Sequence, residues 1–90
     1  MHNWTRNDDI VACYLHRAGL DSFVLGAKEI ARELGMSEES LISRVKNFDY
    51  IATGEGLSHA ANASKAIFEE YKDMPLDDHK KEFIKIVIKK

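Results

Sequence analysis

Residues 27–48 read Ala27-Lys28-Glu29-Ile30-Ala31-Arg32-Glu33-Leu34-Gly35-Met36-Ser37-Glu38-Glu39-Ser40-Leu41-Ile42-Ser43-Arg44-Val45-Lys46-Asn47-Phe48, and this stretch decides the fold. Ala27, Ile30, Ala31 and Leu34 recur at the spacing that places them on one side of a helix. Gly35 follows, the residue that most easily takes the positive φ with which helices end. Ser37 supplies a side-chain cap for a second helix, with Glu38 and Glu39 in its first turn, where the helix dipole favours acids. Leu41, Val45 and Phe48 then share one face, while Glu39, Ser40, Ser43, Lys46 and Asn47 take the other. Two short amphipathic helices that cross near a small residue, Ala31, and hinge at a glycine form a helix-turn-helix. Val45 sits one place later than the usual second apolar anchor, which alters the expected crossing angle.

Upstream, Thr5 and Asp8 have the spacing of a capping box. Ile10, Val11, Tyr14, Leu15 and Ala18 continue at helical period until Gly19, which predicts a helix over residues 6–18. Residues 21–26 connect it to the second helix, with Phe23, Val24 and Leu25 expected on the core. Downstream, residues 49–57 contain Gly54 and Gly56 and read as a loop. Residues 60–72 read as a helix anchored by Ala63, Ile67, Phe68 and Tyr71, closed by Met74-Pro75. The end of the chain is two-sided. Ile84, Ile86 and Ile88 alternate as in a strand, whereas Phe83, Ile84, Val87 and Ile88 also make a helical face. The strand or extended arm is the expectation adopted. The predicted fold is all-α: a small helix-turn-helix bundle of about four helices over residues 1–78, with an extended or strand-like C-terminal tail over 79–90.

Ninety residues support one modest core. A composition 44% hydrophobic and 31% charged excludes a disordered or low-complexity chain. No apolar run approaches the roughly 20 residues of a membrane span, and the polar first residues are expected not to be a signal peptide. Cys13 is the lone cysteine, so there is neither an internal disulfide nor a cysteine cluster for zinc, and a cytoplasmic location is expected. The net charge of −2 hides an asymmetry. Up to His79 there are eight Lys and Arg against fourteen Asp and Glu, and from Lys80 onward five Lys against Glu82. Nonspecific attraction to polyphosphate is therefore weak unless the charges sort onto separate faces.

Trp4-Thr5-Arg6-Asn7-Asp8 resembles the opening of Myb-like helical domains. The order of Ile30-Ala31-Arg32-Glu33-Leu34-Gly35-Met36-Ser37, Ser40-Leu41, Lys46-Asn47-Phe48, Gly56-Leu57-Ser58 and residues 63–71 resembles the N-terminal helical region of some bacterial HNH-type restriction endonucleases. It runs over roughly residues 3–73. The resemblance implies a DNA-recognition or accessory domain without the ββα-metal nuclease module, for which the chain is expected to have no room. Glu38 and Glu39 on the helix that this resemblance assigns to recognition depart from a simple major-groove reader.

On that reading Arg44, Lys46 and Asn47, flanked by Ser40 and Ser43, are candidates for base-edge and phosphate contacts, Arg suiting guanine and Asn adenine. The competing reading is a solvated helix face. Lys28 and Arg32, one turn apart, are candidates for phosphate contacts together with Lys65 and the tail lysines, although Glu29 and Glu33 favour salt bridges instead. Trp4 reads as core rather than as a stacking platform. His2, His16, His59 and His79 lack ligand spacing, Cys13 reads as a small hydrophobe, and Ser64-Lys65 cannot face each other as a dyad. No metal, cofactor or enzymatic activity is expected. The expectation is a small regulatory protein that binds double-stranded DNA, with a homodimer through the tail supplying affinity. The alternative is an acidic protein-interaction module, such as an antirestriction factor, antitoxin or adaptor.

Overall fold

A computed structural model describes residues 4–54 and 62–88 of the chain. Helix α1 spans Arg6–Ala18. Thr5 stays extended and its hydroxyl accepts from the Asp8 amide at 3.2 Å, while the Asp8 carboxylate accepts from the Thr5 amide at 3.1 Å. Both bonds satisfy amides that a helix start would otherwise leave unpaired. Gly19, at φ 106°, ends the helix with its amide on the Leu15 carbonyl. Asp8 through Leu15 are buried without interruption, because α1 is packed on several sides.

Its neighbours are α3 (Glu38–Thr53), α4 (Asn62–Tyr71) and α5 (Leu76–Val87); α2 (Ala27–Leu34) packs chiefly on α3. The turn between α2 and α3 is built at Gly35, left-handed at φ 78°, with its amide on the Arg32 carbonyl and the Met36 amide on the Ala31 carbonyl. Those bonds close the end of α2 and direct Met36 into the core, where Ile30, Ala31, Leu41, Val45 and Phe48 also lie. Ser37 caps α3 by accepting from the Ser40 amide at 3.1 Å. Two capped helices thus meet at a left-handed glycine turn.

Several expectations are corrected. There are five helices among the described residues, not about four, and no strand among them. The C-terminal segment is α5, not a strand or extended arm. Asp77 and Asp78 lie in its first turn and Lys85 in its last, each placed favourably in the helix dipole. Phe83, Ile86 and Val87 are buried, and Phe83 stacks on Tyr14 with ring centres 4.4 Å apart while meeting Phe23 edge-on at 5.0 Å. Burial of a side chain like Phe83 contributes roughly 2–3 kcal/mol, which no free arm would gain. These residues are therefore used within the protomer, and the boundary expected at 78/79 falls inside α5.

Residues 49–53 continue α3 instead of starting a loop, because nothing breaks the helix before Gly54 at φ 81°. Val24 points outward at 89% exposure while its neighbours Phe23 and Leu25 are partly buried. The expected start of the fourth helix at Ala60, the Gly56-Leu57-Ser58 match, His2, His59, Lys89 and Lys90 lie outside the described residues. No helix among the described residues is long and apolar enough to cross a membrane.

Candidate nucleic-acid interface

Helix α3 buries Leu41, Val45 and Phe48 and leaves Glu38, Glu39, Ser43 and Lys46 exposed, with Ser40 and Asn47 half-buried. The outward side expected from helical period is therefore the outward side of the folded protein. Ser40, Ser43, Arg44 and Asn47 come together with Glu39 and Trp4 around an open cleft of about 430 Å³. Lys46 lies on the same helix without lining that cleft, and Lys28 and Arg32 are exposed on α2. Lys65 is half-buried on α4. These last three candidates do not border the cleft.

Arg44 occupies a different position from its neighbours. Its side chain is only 12% exposed, and its guanidinium lies 4.1 Å over the Trp4 ring. Nη1 donates to the Ser64 hydroxyl at 2.8 Å, and Nε sits 3.4 Å from Asp9 Oδ1. Ser64 in turn donates to Asp9 Oδ1 at 3.0 Å. Four elements meet here: the approach to α1 through Trp4, α1 through Asp9, α3 through Arg44 and α4 through Ser64. Burial raises the Asp9 carboxyl above its ordinary range, opposed by the Arg44 charge and the Ser64 hydrogen bond. If Arg44 reached away to a distant base, it would leave that buried carboxylate without its counter-charge, which is strongly unfavourable.

Trp4 joins both readings given to it. It packs against the core and also lines the cleft, as well as a smaller one of about 210 Å³ bordered by Arg6, Ala63, Ala66 and Ile67. Asp9 and Ser64 were not recognised from sequence as part of this region. The available signal was Asp9 itself, an acid one turn before Cys13 on a helix otherwise rich in apolar residues.

The salt bridges expected for Lys28 and Arg32 are absent among the described residues. Glu29 instead accepts from the Gly26 amide at 3.0 Å and closes the start of α2. Exposed ion pairs gain little against the entropy of holding two long side chains, so their absence costs little. Among the described residues no group of three or more His, Cys, Asp or Glu is arranged to hold a metal ion. Cys13 is fully buried, and burial pushes its thiol up to about 12, which leaves almost no thiolate at neutral pH.

Comparison with protein-family models, with curated proteins and with solved structures gave no match.

Proposed function

We propose that this chain is a small DNA-binding regulatory domain that sets the outward side of α3 against the major groove. The observation that supports it is the pair α2 and α3 joined at Gly35, whose second helix keeps Ser43 and Lys46 exposed and Ser40 and Asn47 at the cleft. Lys46 and Asn47 would touch phosphates and base edges, with Lys28, Arg32 and Lys65 as further phosphate contacts. The resemblance to the helical region of HNH-type restriction endonucleases agrees with such a role, as a relative of a recognition domain. A protomer of net charge −2 attracts DNA weakly, so two copies on neighbouring half-sites would supply the missing affinity.

A second reading has one observation in its favour. Glu38 and Glu39 are exposed at the start of α3, where a groove-reading helix would meet phosphates. An acidic protein-interaction module would place the same face on a basic protein. Binding to duplex DNA across a salt series separates the two. The DNA reading predicts that log affinity falls linearly with log salt concentration, because phosphate contacts release counterions. Absence of binding at low salt, or a response flat in salt, overturns it.

A further inference from the structure

We infer that the cleft between Trp4 and α3 is a seat for one backbone phosphate, with Arg44 as a fixed contact at its wall. This deepens the DNA-binding reading and rests on it. A guanidinium has five N–H groups. Asp9 faces Nε, Ser64 accepts from Nη1, and the Trp4 ring covers one face. The Nη2 group remains, on a side chain that borders the cleft. No fully buried side-chain nitrogen or oxygen among the described residues lacks a partner, so Nη2, on a side chain 12% exposed, is not sealed off from the cleft.

The other cleft groups suit the same ligand. Ser40 and Ser43 are one turn apart on α3, and Asn47 is one further turn along. The Ser40 hydroxyl accepts from the Ser37 hydroxyl at 3.0 Å and so keeps its own proton to donate. One cation and several neutral donors in one recess match the oxygens of a phosphodiester, which accepts hydrogen bonds and donates none. Arg44 is held by Asp9, Ser64 and Trp4 before any ligand arrives, so binding does not have to immobilise it. Asp9 offsets most of the Arg44 charge at long range, which makes the seat a short-range contact and not a steering field. Glu39, at the same cleft, opposes an anion.

That opposition gives a two-signed test. Trp4 is the sole tryptophan, so its emission reports on the cleft. The full chain and its Glu39→Gln, Ser43→Asp and Lys46→Ala variants are titrated with a short duplex and, separately, with inorganic phosphate at low salt. Glu39 and Ser43 are exposed, so both substitutions leave the core intact. Duplex binding should shift Trp4 emission, tighten about threefold in Glu39→Gln and weaken about tenfold in Ser43→Asp, with a salt slope lower by about one in the latter. If Lys46→Ala weakens binding while Glu39→Gln and Ser43→Asp behave as the parent, the phosphate seat is wrong and the DNA reading survives. If the parent binds no duplex at low salt, both fail. A saturable response to inorganic phosphate with none to the duplex overturns the backbone as the source of the anion.

Discussion

His79, which is buried, is bound to the partly buried Arg17: Arg17 Nη1 donates to His79 Nδ1 at 3.1 Å, and His79 Nε2 donates to the Ile10 carbonyl at 2.9 Å. Arg17 also donates to the carbonyls of Tyr71 and Met74, at the end of α4 and just beyond it. Because the guanidinium has no lone pair to offer, the shared contact fixes His79 as the neutral ring with its proton on Nε2. Tyr14 and Tyr71 pack on that ring, which is fully buried.

Acid should therefore weaken the fold through His79. Burial lowers its pKa below 6.5, and the Arg17 charge adds to that, against the Ile10 hydrogen bond and Glu82. The unfolded chain takes up a proton near 6.5 that the native ring refuses. Stability is thus unaffected well above that value, declines as pH falls below it, and levels off below the native pKa. Urea unfolding at a series of pH values between about 7.5 and 5 should show this decline, and His79→Gln should flatten it. Asp9 is common to both proteins and cancels in the difference. An equal pH dependence in the two would contradict the assignment.

Asp9 and Arg44 should behave as a coupled pair. Removal of the guanidinium in Arg44→Ala leaves a buried carboxylate unpaired and should cost about 3–5 kcal/mol. Asp9→Asn in that background should recover a large part of the loss, since a neutral amide can still accept from Ser64. Chemical denaturation of the two single variants and the double variant gives the coupling directly. Additive losses would mean that the 3.4 Å contact carries no weight.

Gly35 holds the hinge at φ 78°, and nothing lies within 4 Å of where a Cβ would stand. The cost of Gly35→Ala is then a backbone cost alone, about 1–2 kcal/mol. Calorimetry should find a lower Tm with an unchanged helical spectrum. No change in Tm would mean that the turn is not left-handed.

The C-terminal helix should be required for folding. Phe83→Ala should destabilise by about 3–5 kcal/mol, as expected for a large buried aromatic. Truncation after Asp78 removes His79, Phe83, Ile86 and Val87 from the interior and should yield an unfolded or aggregating chain by circular dichroism. A stable, helical truncated protein would restore the picture of a dispensable tail.

What sequence reveals here depends on how local the cause is. The bounds of α1 follow from Thr5, Asp8 and Gly19, which act within a turn of the ends they set. Gly35 and Ser37 fix the turn between α2 and α3 in the same way. The outward face of α3 was equally legible, because Leu41, Val45 and Phe48 could only point one way into a core. The C-terminal segment was not, since Ile84, Ile86 and Ile88 satisfy a period of two while Phe83, Ile86 and Val87 are what the core selects. Helix was decided by contacts with Tyr14 and Phe23, which are far from Phe83 in the chain. The cleft wall was hidden for that reason too: Asp9, Arg44 and Ser64 are brought together only by folding, so Arg44 read as a free contact residue when it is largely committed to internal partners.

The central claim, that the hinge at Gly35 turns the outer side of α3 toward DNA, is tested most directly by amide chemical-shift mapping with a short duplex at low salt. The largest changes should fall on Ser40, Ser43, Lys46 and Asn47, with the Trp4 indole signal moving in step. Changes confined to other helices, or a spectrum that does not respond to the duplex, would contradict it.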